Sequence, residues 1–480
     1  MAQLIHKFKQ AGIPVMLLLA LMNLTAKAQE KISLQTAVDR TLERNLTVKQ
    51  ARLTESLGTA DYEQSKNNLL PSLSASPQAS YNFGRSPNLA TYSYSNQAFL
   101  YLTGTATVSV TLYQGGQLRN QILENKLTLD VDKSNTSKIK NDLILNVVTD
   151  YLQILTNQDL VTAAKQQIDI ADQTLSRAQI TFKVGNMTLA DLAQAKAQVS
   201  TANLNLTTAQ NQLDLSILIL KQYMEMDSNA DIIIEKPDVS KLTNIRTVYS
   251  ASEVIGTAVK VNPDILLAEA QQLTYAQAIK IAKGSYYPTI SLFGSVGSNY
   301  SNLQKQQVIG STTLSVPVGT VQGTNQVVVA PVSQPIYGPY TFTSQFGNNF
   351  NQAIGINMQI PIFNRYLSRT NVKKAKLNYQ NAEVSTQIAK NNLSKTIIQA
   401  ILDLQAADKQ YQSAIQTYES NKEALNVTKQ RYDVGLVNTL DYNTALTNYN
   451  KSQNDMIQAQ YGVIFRSKII DYYLGNTITL

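Results

Sequence analysis

Two periodicities follow one another along this chain, and each occurs twice. Leu100, Leu102, Ala106, Val108, Val110 and Leu112 alternate with Tyr101, Thr103, Thr105, Thr107, Ser109 and Thr111. A period of two with one apolar and one hydroxylated face predicts a β-strand. The same parity returns at Ile354, Ile356, Met358, Ile360 and Ile362, with Asn351, Asn357 and Gln359 on the other face. A weaker strand precedes each, carrying Leu73, Ala75 and Ala79 in one case and Ile290, Leu292 and Val296 in the other. Pro71 and Pro288 introduce these strands, a position proline can hold although it cannot sit in mid-strand. Elsewhere the period is three and four. Residues 114–182 and 364–432 contain no proline and predict two helices of about 100 Å each at 1.5 Å per residue. Shorter helices are predicted over 34–68, 188–222, 252–284 and 438–474. Leu143, Val147, Tyr151 and Ile154, then Ile168 and Leu175, form a narrow coiled-coil stripe that must be buried on neighbouring helices.

The order of elements repeats. An offset of 217 lays Asn45, Ala51 and Pro71 on Asn262, Ala268 and Pro288, and an offset of 250 lays Phe182-Lys-Val-Gly185 on Tyr432-Asp-Val-Gly435. The difference is one insertion between Pro288 and Ile360, in a stretch rich in Gly, Ser, Thr, Gln and Pro that reads as a long surface loop. A duplicated supersecondary unit follows. Residues 29–222 are the first repeat (helix, two strands, long helix, short helix), 223–250 a linker, and 251–480 the second repeat, with the longer loop at about 298–349.

Uncharged strands of about 10 residues with alternating polarity are the mark of a transmembrane β-barrel. Tyr81, Tyr92, Tyr94, Tyr101, Tyr286, Tyr287 and Tyr300 lie near the strand ends, as an aromatic belt at lipid headgroups would. Long loops of such barrels lie on the extracellular side. Two strands per repeat give four per chain, which cannot close, and an open edge in lipid leaves backbone groups unpaired. Two copies would give eight strands, whose interior side chains fill, so a conduit requires at least three copies and twelve strands. A soluble sheet in a secreted coiled-coil scaffold has the same periodicity and stays open at this point.

Composition narrows the chemistry. Lys7 and Lys9, the apolar run Val15–Met22 and Ala26-Lys-Ala28 have the layout of a secretory signal peptide over residues 1–28. The run is shorter than the about 20 residues a membrane helix needs, and no cysteine follows for a lipid anchor. His6, the only histidine, lies in that leader, and the chain has no cysteine. Thiolate, imidazole, zinc-site and triad chemistry are therefore excluded from the mature chain. No nucleotide-binding fingerprint is present, so an enzyme and a cofactor are not expected. Net charge is +8 and falls to +5 without Lys7, Lys9 and Lys27. That excess reads as spread along the helices, without the basic and aromatic cluster of a nucleic-acid binder.

Two segments break long helices with glycine, Phe182-Lys-Val-Gly-Asn-Met-Thr-Leu-Ala-Asp191 and Tyr432-Asp-Val-Gly-Leu-Val-Asn-Thr-Leu-Asp441. Gly185 and Gly435 supply the left-handed turn that ends a helix. The duplicated order, the prolines opening the first strands, the second strands running into Leu112-Tyr-Gln-Gly-Gly116 and Ile360-Pro-Ile-Phe-Asn364, and the two glycine tips resemble the TolC outer-membrane efflux protein family. The resemblance covers nearly all of the mature chain. It implies an α+β membrane protein: a homotrimer with a twelve-stranded transmembrane β-barrel in outer-membrane lipid, continuous with a long periplasmic α-helical barrel. It implies a Gram-negative outer membrane, a periplasmic adaptor, an inner-membrane pump of RND or ABC type, and export of drugs or other toxic solutes. Type I protein secretion is the alternative use of the same duct. On this resemblance Val184, Gly185, Asn186, Val434, Gly435 and Leu436 dock the adaptor, and residues 223–250 form an equatorial patch. Asp441 matches the first of two acidic positions at the family's periplasmic constriction, and Thr444 stands where the second would be. One aspartate from each of three chains makes a cation-preferring ring. Asp191 is the second gate candidate. Both aspartates also have the simpler reading of acids stabilised at a helix N-terminus.

Overall fold

The computed structural model describes residues 30–88, 93–237 and 247–476. The expected leader, Tyr92 and part of the 223–250 linker lie outside the described residues. In the first half, β1 (Glu30–Ile32) precedes α1 (Leu34–Arg44), α2 (Leu46–Asn67), β2 (Ser72–Asn82), β3 (Ser86–Asn88), β4 (Ser93–Ser95) and β5 (Phe99–Gln114), then α3 (Gln117–Lys183), α4 (Leu189–Tyr223) and β6 (Ile232–Ile234). The second half contains α5 (Ala251–Val261), α6 (Pro263–Gly284), β7 (Thr289–Ser301), β8 (Gln306–Thr320), β9 (Val327–Pro339), α7 (Phe342–Asn348), β10 (Asn351–Gln359), α8 (Leu367–Asp433) and α9 (Thr439–Tyr473). Matched helices have equal lengths of 11, 22, 67 and 35 residues in the two halves.

The chain divides into a helical unit, up to residue 57 with 129–272 and from 382 onward, and a strand-bearing unit of 58–128 and 273–381. In the helical unit the first part of the predicted stripe is buried, and Ile168 and Leu175 are half-buried: Val147, Tyr151 and Ile154 of α3 pack with Leu34 and Ala37 of α1, Leu220 of α4 and Ile464 of α9. A second cluster joins Val254 of α5 and Ile265 of α6 to Ile397 and Leu404 of α8 and Ile470 of α9. Each such aliphatic side chain contributes about 1.5–3 kcal/mol by leaving water.

Two helices expected as continuous, 34–68 and 252–284, are each broken once, at the matched Asn45 and Asn262. Each asparagine leaves helical geometry, with ψ of 130° and 125°. Its N–H still closes the preceding helix, onto Thr41 O at 2.9 Å and Ala258 O at 2.8 Å. Its Oδ1 accepts from the next helix, from Thr47 N–H at 2.9 Å and Asp264 N–H at 3.0 Å. One residue type thus ends one helix and caps the next. A period count misses this because apolar spacing continues across the break.

The linker region supplies an element that apolar periodicity could not show. β6 pairs in parallel with β1, Ile32 opposite Ile234. The Tyr151 hydroxyl lies 3.1 Å from Ile32 O and 2.6 Å from Glu235 O, and donates its single proton into that pair.

In the strand-bearing unit, β10, β7, β5 and β2 form one antiparallel sheet in that order. Ser72 stands opposite Ser109 and Thr289 opposite Gln359, so the two offsets read from sequence carry the first hairpin onto the second in register. Leu73, Val108, Gly294 and Ile354 are aligned across the sheet. They lie on its apolar face with Ala106, Leu292 and Ile356. The other face carries hydroxyls and amides, with Ser72 Oγ 3.1 Å from Ser109 Oγ. The apolar run expected through Ile362 is cut short. β10 ends at Gln359, because Pro361 has no N–H to give a ladder.

The segment expected as a loop over about 298–349 is built differently. β7 continues to Ser301, β8 and β9 form their own hairpin, and α7 leads into β10. Its proline content hid the strands. Pro331 and Pro335 stand opposite Ser315 and Ser311, and Pro339 opposite Gln306. Residues two or four apart send their N–H positions to one edge, so the three prolines fall on the outer edge of β9, where no ladder bond is lost. That edge is thereby closed to strand addition.

The turns into the long helices share one backbone conformation. Gly115 and Gly116 have φ of 57° and 72°, and the matched Arg365 and Tyr366 have φ of 56° and 61°. At Gly115 only glycine fits, since a Cβ there would collide with the carbonyl oxygen of Gly284. Arg365 and Tyr366 hold the same left-handed geometry at roughly 1–2 kcal/mol each.

Replacing Tyr151 by Phe removes the one hydrogen bond that the hydroxyl donates into the pair, while Ile32 O keeps the Glu235 N–H at 3.0 Å, and costs about 0.5–1.5 kcal/mol. Hydrogen exchange of the β1 and Glu235 amides then rises while α8 is unaffected. Unchanged protection at those amides would count against the tyrosine as the clasp of β1.

Candidate functional site

Two tips in the helical unit gather the residues expected to be functional. At the first, α3 ends as Gly185 N–H bonds Phe182 O at 3.0 Å and Asn186 N–H bonds Thr181 O at 3.0 Å. At the second, Gly435 N–H bonds Tyr432 O at 3.1 Å and Leu436 N–H bonds Arg431 O at 2.8 Å. Both glycines have φ of 79°. This is the Schellman arrangement, which satisfies carbonyls that a helix end leaves open. The next helices start on side-chain caps, with Thr188 Oγ1 accepting from Asp191 N–H at 3.2 Å and Asn438 Oδ1 accepting from Asp441 N–H at 2.8 Å.

Between the bends, apolar side chains face solvent. Val184, Val434 and Leu436 are 65%, 70% and 69% exposed, and Leu189 and Leu440 are exposed beside them. Gly185 and Gly435 have open space at the Cβ position, so only their positive φ demands glycine.

The tips are tied to each other by residues that the sequence reading did not single out. Arg177, near the end of α3, pairs with the Asp433 carboxylate and donates to Asp433 O at 3.0 Å. Its guanidinium lies over the Tyr432 ring at 5.1 Å, and Tyr432 stacks on Tyr442 at 4.9 Å and 11°. Tyr442 is buried. No period or motif announces this clasp, because Arg177 and Asp433 do not occupy matched positions of the repeat.

The two gate candidates differ. The Asp191 carboxylate accepts from the Thr188 hydroxyl at 2.6 Å. That hydroxyl, with a further contribution from Thr439, holds its carboxyl below the usual carboxylate value. Asp191 is thus engaged by both tips. Asp441 is exposed, and its side chain is not part of its own cap.

A second surface of interest is the sheet. Its apolar face is uncovered among the described residues, with Ile354 at 83% exposure and Leu73, Val108, Val296 and Ile356 also exposed. No helix among the described residues is long and apolar enough to cross a membrane, and no group of three or more His, Cys, Asp or Glu residues among them could hold a metal ion.

Known proteins share this architecture. Outer membrane protein TolC of Escherichia coli is 22% identical over 339 residues, 70% of this chain and 61% of that protein. The chain thus spans less than two thirds of the length of that relative. Toxin and drug export protein A of Aggregatibacter actinomycetemcomitans is 24% identical over 366 residues, 75% of this chain and 70% of that one. The CmeC outer membrane channel of Campylobacter jejuni superimposes with a TM-score of 0.72 at 20% identity, covering 92% of this chain and 85% of that one. The model of the family described as outer membrane efflux protein matches residues 37–224 and 254–475, which are the two halves of the repeat. The chain belongs to the outer membrane efflux protein family.

Proposed function

We propose that three copies of this chain form an outer-membrane exit duct, through which an inner-membrane pump of RND or ABC type and a periplasmic adaptor expel drugs or other toxic solutes. The observation that carries this is the sheet. It has an exposed, uncharged apolar face, a hydroxyl-rich opposite face, and free edges at β2 and β10. Lipid tolerates such a sheet only when it is closed. Three copies close it at twelve strands, wide enough to leave a lumen lined by hydroxyls and amides.

The repeat dictates how copies join. Within the chain β5 pairs with β7, Thr107 opposite Ser295. Applying the two offsets to that pair sets Asn357 of β10 opposite Gln78 of the partner subunit's β2. The helical unit forms the periplasmic part of the duct. Its exposed valines and Leu436 supply the apolar contact for the adaptor, with Gly185, Asn186 and Gly435 shaping the bends. Opening of the duct requires the tips to part, which the Arg177–Asp433 clasp opposes. Asp441, exposed at its tip, gives a ring of three carboxylates at the constriction, while Asp191 braces the tips through Thr188 and Thr439.

Cysteines at Asn357 and Gln78 should cross-link copies into a trimer on oxidation, in a chain with no cysteine of its own. The pair at Met358 and Gln78, on opposite faces, should give none. Cross-linking by the second pair alone would refute the register.

In planar bilayers the trimer is expected to pass a small cation-selective current that a trivalent cation blocks from the periplasmic side. Asp441→Asn should abolish the block, and a block that survives assigns the gate elsewhere.

Arg177→Ala is expected to raise single-channel conductance by freeing one tip from the other. Conductance equal to that of the parent would mean that the clasp does not limit opening.

A further inference from the structure

The positive charge that the sequence spreads along the helices is concentrated in the strand-bearing unit. Residues 273–381 contain 8 Lys and Arg and no Asp or Glu. The pattern is duplicated. Lys66 and Lys283 are matched by the first offset, and Arg119 with Arg369 and Lys126 with Lys376 by the second. All six are exposed and lie within a few turns of a strand end, on α2, α6, α3 and α8 respectively. Where the first half has Glu63 and Glu124, the second has Lys280 and Lys374. Lys66 and Lys283 occupy last turns, where cations favour the helix. Arg119 and Arg369 occupy first turns that contain no acid, where the macrodipole opposes them. Helix stability therefore does not explain the set.

Exposed aromatic residues lie between these cations and the strands, namely Tyr113, Tyr286, Tyr287, Phe363 and Tyr366. An apolar strand face, then aromatic rings, then exposed cations is the order that an anionic lipid surface complements. At one place the chain keeps an arginine and a tyrosine against its backbone preference. Arg365 and Tyr366 take the left-handed turn that Gly115 and Gly116 make without strain.

The repeat also says what lies beside Arg365. Inside the chain, Gly115 abuts Gly284 with no room for a Cβ. On the trimeric reading, the same offsets would set Arg365 against Asn67 of the partner subunit, where two residues bearing Cβ atoms cannot approach as the two glycines do. On that reading the junction between copies stands further apart than the junction within one, at the level of the aromatic residues.

We propose that this collar binds the phosphate-bearing headgroups of anionic phospholipids in the periplasm-facing leaflet. The tightest site lies at each seam between copies, formed by Arg365 and Arg369 with Lys66 of the partner subunit. The proposal rests on the trimeric membrane reading given above. A lipid there would fill the wider junction and neutralise Arg369, which the macrodipole of its own helix opposes.

The test uses the full-length trimer purified in neutral detergent with equal phosphatidylglycerol and phosphatidylcholine, then native mass spectrometry and thermal melting. Phosphatidylglycerol should be retained preferentially, about one per copy at the tightest level, and should raise the melting temperature. Inorganic phosphate at the same concentration should do neither. Retention should fall about fivefold for each basic residue removed near the anionic headgroup, as in Arg365→Gln and Arg369→Gln. Arg365→Gly adds a separate readout. It should melt higher than the parent in lipid-free detergent, where strain is relieved, and lower than the parent's lipid-bound form. Equal retention of the two lipids, or undiminished phosphatidylglycerol retention in the charge variants, would overturn the proposal. So would a change of ion selectivity in those variants with lipid retention intact, since the cations would then face the lumen. A protein that stays soluble without detergent would instead sink the membrane reading on which the proposal stands.

Discussion

Unpaired strand edges govern this molecule. β2 and β10 each offer a row of N–H and C=O groups that water could satisfy and hydrocarbon cannot. The strand-bearing unit has an uncovered apolar face that lipid would solvate well and water badly, so its faces call for membrane and its edges forbid it to stand there alone. On the reading proposed above, pairing with further copies meets both demands. A duplicated sequence is well suited to this. On that reading the strand pair that joins the two halves inside the chain is a template for the one that joins chains, and a single register serves both interfaces.

The same constraint reaches the helices. If each copy repeats its neighbour's junction, the helices entering the sheet must be equivalent from half to half. Their lengths are equal, at 11, 22, 67 and 35 residues. The insertion that distinguishes the halves is confined to the region between β7 and β10, where it adds a hairpin and leaves the length of every matched helix intact. That hairpin carries free edges of its own. It manages the outer edge of β9 by another device, three prolines whose absent N–H groups point away from the partner strand.

Much of this was legible in the sequence, for identifiable reasons. The four main strands and the long helices announce themselves because each buries or exposes one face over many residues, and periodicity integrates over that length. The glycine tips are readable because positive φ strongly favours one residue type. Breaks at Asn45 and Asn262 were visible as matched positions, yet their role depends on one side chain bonding the amide two residues on, which leaves no trace in apolar spacing. β1 and β6 have three residues each, too short for any period. The Arg177–Asp433 clasp joins positions 256 apart through a contact that only the packed helices create. Charge was misjudged for a related reason. A net value for the chain averages over the elements, whereas the fold gathers the ends of four helices and with them the cations.

The turn that opens the long helices shows how a duplicated element specialises. Both copies take two consecutive left-handed residues, and this geometry aims each long helix after its strand. Glycine provides it at no steric cost, and the first half retains glycine because the Gly284 carbonyl leaves no room for anything else. In the second half the matched positions carry Arg365 and Tyr366, so no such collision excludes a side chain there. The requirement for glycine is lifted there, although its conformational advantage remains. The left-handed geometry costs about 1–2 kcal/mol at each position, which the lipid contact proposed above would offset at Arg365. Beside Arg365 the chain sets the Phe363–Tyr366 ring pair at 5.5 Å and, one turn on, Arg369. On that reading the compensating charge comes from outside the protein, and at the end of a membrane strand the most abundant source of it is a lipid headgroup.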